Sequence, residues 1–333
     1  KKYKSIEFTS RFTSGVTVET TSDLVLTGDT IINSGVSINK VKNGTIVPIS
    51  INTGAYTFTC KGTLSDKDSK VCNIANITGK GSAVFDENIA VNISGNVNVG
   101  SFTVSSDVTL SEKSGFTCAK LVPDGGELVY TEKNAAKVKL GNIENTGKSI
   151  TFPMLGEGKY LAAITGDFPD GTIRFGVKGA ETELDVLYAA VRKGNKIYIS
   201  YRSDAVIVTC ASNGSATKRA YSSPEDALAD ITRINDANAG FTIRLTESWS
   251  PKSIKFPAKG KYSVIEFVVS REVDRIYITV SSDITLTGNL VIGNNVTLRK
   301  AKGTLKITAP KGSGFNAEEE GNGKIEGTGA IVS

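Results

Sequence analysis

The chemistry open to this sequence is that of carboxylates, amines, tyrosines and four cysteines, because its 333 residues include no histidine. That absence removes Ser-His-Asp and Cys-His catalysis, His-ligated zinc and imidazole acid–base steps together. Carboxylates could still act as an acid and base pair, or as oxygen ligands of calcium beside a basic residue. No two aspartates are adjacent, and the nearest pairs are Asp66 with Asp68 and Asp167 with Asp170. The first pair straddles Lys67 in a polar stretch, with too few oxygens nearby to complete a calcium shell. The second lies in Asp167-Phe168-Pro169-Asp170-Gly171, which has the residues of a tight turn. Neither pair is expected to catalyse or to hold metal, and no cofactor is expected.

Three aspartates recur in one phrase, Ser-Asp followed by alternating apolar residues, at Asp23, Asp107 and Asp283. A Ser-Asp step before a strand reads as an Asx turn closing a corner rather than as a row of ligands. Cys60, Cys72, Cys118 and Cys210 have no C-x-x-C spacing, so zinc ribbons and thioredoxin-like redox motifs are excluded. Cys60 and Cys72 are close enough in sequence for a disulfide in an exporting compartment, and buried thiols in strands are the simpler reading. Ligand contact is better sought among aromatics, whose flat rings stack on sugars at little entropic cost. In Lys196-Ile197-Tyr198-Ile199-Ser200 the isoleucines share one strand face, leaving Tyr198 beside Lys196 on the other, and Trp249 falls in the loop-like Glu247-Ser248-Trp249-Ser250-Pro251. Tyr198 and Trp249 are the candidate ligand-binding residues.

The elements that must carry these residues are strands. Gly at 34, abundant Thr, Ser, Val, Ile and Asn, and a single Met and Trp favour many short strands joined by turns. Lys and Arg total 39 against 34 acidic residues, a net charge of +5 without long basic runs, so nucleic acid is not an expected partner. No stretch approaches the ~20 apolar residues that span a bilayer, so membrane insertion of this chain is not expected. The sequence opens inside a strand-like pattern, Lys2-Tyr3-Lys4-Ser5-Ile6-Glu7-Phe8, which points to a longer parent protein.

The strongest feature is internal. Lys2 to Ile49 aligns with Lys261 to Ile307 with single-residue gaps, so Ser22-Asp23-Leu24-Val25-Leu26-Thr27-Gly28 lies over Ser282-Asp283-Ile284-Thr285-Leu286-Thr287-Gly288. The repeat is about 260 residues long, giving one full period and the start of the next. Within each copy, apolar pairs at i and i+2 recur every few residues, as at Val16 and Val18, Leu24 and Leu26, and Val36 and Ile38. The short gaps leave room only for corners of Gly, Asn, Asp or Ser. Several such strands per turn describe a solenoid, in which each coil buries its apolar face on its neighbours.

The segments Leu26 to Ile38 and Leu286 to Leu298 resemble coils of right-handed parallel β-helix domains, the pectate-lyase-like superfamily. The resemblance implies a right-handed parallel β-helix (β-solenoid) fold. It carries no activity of its own, since one fold hosts many functions. From Ser149 the alternation lengthens, and Arg192-Lys193-Gly194-Asn195 reads as a hairpin loop, implying a small antiparallel β-module. Ser223 then caps a helix with Pro224 at its first position, Glu225 and Asp226 at its positive end and an apolar stripe of Ala227, Leu228, Ile231 and Ile234. This order, followed by Gly240 to Leu245, looks like the start of β-helix domains in bacterial surface proteins, where a helix covers the open first coil.

The expected architecture is therefore all-β: solenoid coils over 1–148, an antiparallel β-module over 149–218, and a second solenoid over 219–333 with a capping helix at 223–239. The expected function is that of a non-catalytic bacterial cell-surface protein, an adhesin or stalk, with extracellular glycans or host and cell-surface proteins as partners. The alternatives are a carbohydrate-binding module or a polysaccharide lyase or hydrolase on a β-helix.

Overall fold

A computed structural model describes residues 3–66, 71–176, 184–270, 275–309, 315–317, 324–326 and 331–332. Strand accounts for 52% of the chain and helix for 6%, and the strands wind a β-solenoid of about 13 turns. The chain divides into two compact units, residues 1–186 with 195–199, and residues 187–194 with 200–333.

In the first unit the coils have three faces, each a ladder of parallel strands. Ser5–Phe8 pairs with Asp29–Ile32, which pairs with Thr57–Cys60, and that with Ser82–Phe85. A second ladder joins Val71–Gly79 through its first residues to Ala90–Ile93, Val108–Leu110 and Leu128–Val129. A third runs from the start of Val97–Val104 to Phe116–Pro123 and Val138–Ile143. Register keeps like on like: Phe58, Ala83, Phe102, Leu121 and Ile143 form one inward row, all buried. Burying such side chains contributes roughly 1.5–3 kcal/mol each. Phe58, Phe85, Phe102 and Phe116 continue as a column with ring centroids 6.0, 5.8 and 5.1 Å apart.

Corner side chains tie one coil to the next. Asn76 Oδ1 accepts the backbone N–H of Asn96 at 2.8 Å, and Asn96 Oδ1 accepts that of Gly115 at 2.9 Å. Asp29 and Asn142 accept from Thr57 and Asp167 in the same way. The Asn43-Gly44 pair, both at positive φ, makes a two-residue hairpin inserted between coils, joining Val36–Lys42 to Thr45–Val47.

Parallel pairing does not stop at residue 148. Ile150–Pro153 pairs in parallel with Ile173–Gly176, and Val138–Ile143 pairs in parallel with Tyr160–Ile164. Antiparallel pairing is confined to shorter stretches here: Tyr160–Ile164 with Lys196–Tyr201 at its first unit end, and in the second unit Val206–Ser212 with Ser215–Tyr221. The latter hairpin turns on Asn213-Gly214, again at positive φ.

In the second unit Val206–Ser212 also pairs antiparallel with Gly240–Leu245, whose other edge begins a parallel ladder to Val264–Val269, Asn289–Ile292 and Phe315–Ala317. Ile276–Val280 stacks on Val296–Lys300, and Ile284–Thr285 on Ile307–Thr308. The helix is Pro224–Ile234, and the Ser223 Oγ accepts the Asp226 N–H at 3.1 Å. It ends before the expected residue 239. Asn235 takes the left-handed conformation at φ 55° and donates its N–H to Ile231 O, and Asp236 then accepts from Asn238 and Ala239 to turn the chain into the next strand. Ala227, Leu228 and Ile231 are buried in the same apolar cluster as Phe241, Ile265 and Phe267.

The aligned segments adopt the same pairing. Ser5 to Phe8 faces Asp29 to Ile32 as Val264 to Phe267 faces Asn289 to Ile292. Val16 to Thr20 faces Val36 to Lys40 as Ile276 to Val280 faces Val296 to Lys300. The sequence repeat is a repeat of coils.

Candidate functional site

Several of the carboxylates singled out in the sequence bond to the chain itself. Asp66 accepts the Val71 N–H at 3.1 Å, Asp167 accepts the Phe168 N–H at 3.0 Å, and Asp68 lies outside the described residues. Asp23 is not an Asx turn. Its Oδ1 accepts the Ser50 N–H in the following coil and an ammonium hydrogen of Lys40, each at 2.7 Å. Asp283 repeats this with the Lys306 N–H at 3.0 Å and Lys300 at 2.8 Å. The lysine contacts hold both carboxyls below the usual aspartate range. Asp107, third in the series, joins its neighbour through its backbone, its carbonyl accepting the Val91 N–H. Among the described residues no group of three acidic or cysteine side chains converges as a metal site would require.

Trp249 departs from expectation. It is 8% exposed, forms a parallel bridge with Ile278, lies 5.9 Å from the Phe267 ring, and donates its indole N–H to Glu225 Oε1 at 2.7 Å. The loop-like residues around it fold against the coil, so the indole is a core group with its polar edge satisfied by the helix. It is not offered to a ligand.

Tyr198 is placed differently. Antiparallel register sets it directly opposite Tyr160, ring centroids 5.7 Å apart, and Lys196 holds its ammonium 5.6 Å from the Tyr160 centroid. Both tyrosines are half-buried and Lys196 is exposed. Burial, with Tyr198 as a second cause, pushes the Tyr160 hydroxyl above its ordinary pKa, so it stays a neutral donor. Two half-buried rings with a tethered cation offer a stacking face and a point of attraction for an anionic group. Tyr160 was missed in the sequence because only the pairing register brings it to Tyr198. In the second unit Tyr188 and Tyr201 stack at 4.9 Å, with Tyr201 exposed.

The first unit also carries an open groove of about 540 Å³. Gly15, Gly35 and Gly62 line it along successive coils, among Thr13, Ser14, Ser34, Lys61, Asp86 and Asn88. The glycines are required by backbone: Gly15 and Gly35 sit at φ 77° and 78°, and a side chain on Gly62 would strike Val36 O.

The cysteines are thiols. Cys60 and Cys72 are buried with their sulfurs 3.6 Å apart and unbonded, and the Cys60 thiol donates to Gly62 O.

Fold and geometry together define a β-solenoid protein. Comparison with known protein families, characterised proteins and solved structures finds no match to this chain.

Proposed function

We propose that this chain is a non-catalytic segment of a bacterial cell-surface repeat protein, acting outside the cell as a stalk or adhesin, and that its coils are kin to the pectate-lyase-like β-helices. One observation carries the reading: the same coils recur after about 260 residues with the same register and the same Asp–Lys corner. Tandem coils add length in equal steps, and each coil needs only its neighbours for stability. That suits a spacer. The recurring aspartates Asp23 and Asp283 are engaged in corners rather than held as a pair, which favours the non-catalytic reading.

The pair Tyr160 and Tyr198 with Lys196 favours a second element, contact with acidic glycans. The test is a glycan array probed with the chain and with its Tyr198→Ala and Tyr160→Ala variants. Binding to uronate-containing polymers that both variants lose supports the adhesin. Release of unsaturated or hydrolysed sugars from such polymers would overturn the non-catalytic reading.

A further inference from the structure

The two copies of the coil repeat differ in one respect. In the second copy Ile265, Phe267 and Ile278 are fully buried, and Tyr262 is 5% exposed, its hydroxyl bonded to Thr287. Their counterparts in the first copy are not. Ile6 and Phe8 are only partly buried, Val18 is 37% exposed and Tyr3 66%. Phe12, on the same first coil, is also exposed.

Among the described residues a cover lies over the second copy alone. Gly240–Leu245 pairs along the outer edge of Val264–Val269, and the helix Pro224–Ile234 packs into the same core. Trp249 closes the next face: its N–H donates to Tyr277 O at 2.9 Å and its carbonyl accepts the Thr279 N–H at 2.8 Å. Further on, Lys252 O accepts the Ser281 N–H, and Pro257 O accepts the Thr287 hydroxyl. In the first copy Ser5–Phe8 and Val16–Thr20 pair on their inner edges alone among the described strands.

We propose that the outer face of the first coil is a docking surface for a helix–strand–tryptophan segment of the kind formed by residues 221–260, supplied by another copy of the repeat in the same polypeptide. The occupant follows from the equivalence. The register beneath the cover is the same in both copies, and the dipeptide that leaves it, Lys261-Tyr262, recurs as Lys2-Tyr3. A segment ending at the equivalent of Gly260 would lead in sequence towards Tyr3 as Gly260 leads towards Tyr262. It would supply partners for the outer edges of Ser5–Phe8 and Val16–Thr20 and bury the exposed apolar side chains. This inference stands on the two coil sets and does not depend on the surface-protein reading.

Hydrogen exchange tests it. In the chain as it stands, amides of Ser5–Phe8 exchange at least about tenfold faster than those of Val264–Val269, and equal rates overturn the proposal. A copy of residues 203–260 is then fused ahead of Lys2 in the full chain. The fusion slows exchange at Ser5–Phe8 and Val16–Thr20 to the level of the second copy and lowers binding of an apolar dye. The same fusion with the grafted tryptophan changed to Ala and the grafted leucine equivalent to Leu228 changed to Asp loses that protection. A graft that adds helical circular dichroism but leaves exchange unchanged overturns the proposal. So does a discrete dimer of the unfused chain that protects Ser5–Phe8, since it would assign the face to a second copy instead.

Discussion

Lys40 Nζ lies 2.7 Å from Asp23 Oδ1, and the same carboxylate oxygen accepts the Ser50 backbone N–H, so one side chain fastens a corner to the coil that follows. Lys300 and Asp283 repeat the arrangement on the second solenoid. The ion pair is exposed enough to be screened, and pairs of this kind are worth about 0–1 kcal/mol. The backbone bond is the larger part. Asp23→Ala, which strips the acceptor from Ser50, is expected to cost about 1 kcal/mol in urea unfolding, and Asp23→Asn, which keeps an oxygen, less. An Asn variant as damaging as the Ala variant would place the stability in the charge instead.

The pH dependence has a definite sign. The carboxyls of Asp23, Asp124 and Asp283 are held below the ordinary aspartate value by hydrogen bonds from Lys40, Lys148 and Lys300 respectively. A lowered pKa in the folded state means that the stabilisation is complete above the unfolded value of about 4 and is lost as pH falls below it. Melting temperature should hold from neutral pH to about 5 and fall beneath about 4, with a smaller fall in the triple Asn variant. An equal acid fall in that variant would trace acid sensitivity to other groups.

Beneath the helix, the Tyr221 hydroxyl donates to Asp230 Oδ2 at 2.7 Å, while Arg233 bonds Asp230 Oδ1 at 2.6 Å and Arg192 approaches that oxygen at 3.6 Å. Arg192, Tyr221 and Asp230 are all buried. Burial, and then the Asp230 charge, push the Tyr221 hydroxyl well above its ordinary pKa, so it remains the donor. Asp230→Ala removes the carboxylate from a buried guanidinium, a change that costs about 3–5 kcal/mol where such pairs have been broken. Chemical denaturation measures it, and a loss below about 1 kcal/mol would mean that Arg192 finds solvent.

Much of this architecture was legible because solenoid coils are local. Val16, Val18, Val36 and Ile38 announce their strands by alternation, and the helix is announced by Ser223-Pro224-Glu225-Asp226. The repeat of Asp23 at Asp283 was visible too, but its role was not, because its acceptor bond is to a backbone group in the next coil, which no local pattern encodes. The hairpins at Asn43-Gly44 and Asn213-Gly214 did carry a sequence signal, the Asn-Gly pair, which the coil periodicity overshadowed. Trp249 misled for the opposite reason. Its Ser, Glu and Pro neighbours read as a loop, and a loop that lies along a coil buries its aromatic as thoroughly as a strand does. Asp230 sits on the buried side of an otherwise amphipathic helix, and its partner Arg192 comes from a distant strand.

Tyr198 and Trp249, similar candidates in sequence, should separate in experiment. Trp249→Ala opens a cavity beside Phe267 and leaves Glu225 without its indole donor, and large-to-small changes of this kind cost about 3–5 kcal/mol. Tyr198→Ala removes a half-buried ring whose chief neighbour is Tyr160 and should cost less stability while removing glycan contact. Thermal melts alongside glycan binding read both. A Trp249→Ala protein that melts normally but fails to bind would restore the tryptophan to the surface.

The four thiols should be silent in the native protein. All are buried, and burial pushes the Cys118 thiol up to about 12, while the Cys60 hydrogen bond and then burial push Cys72 well up. Since the thiolate is the reacting form, a disulfide-exchange reagent at neutral pH should label none until denaturant is added, and then all four. Rapid native labelling of Cys60 or Cys72 would show that the coil at their corner opens.

The helix Pro224–Ile234 should decide whether the second solenoid stays soluble. Leu228 and Ile231 are buried against Phe241 and the coil beyond it, each contributing roughly 1.5–3 kcal/mol by that burial. Without the helix, the core around Ile243 and Phe267 would meet water, and exposed apolar surface of this kind drives association. Changing Leu228 and Ile231 to Asp places two charges where the core was, so the helix can no longer dock. The variant should associate in light scattering and lose cooperative melting, because burying those carboxylates costs more than exposing the coil. If the helix were instead a surface for a partner, its stripe would not be needed for folding. The double variant would then stay monodisperse, keep its circular dichroism and melt as the parent does, and that result would defeat the capping role.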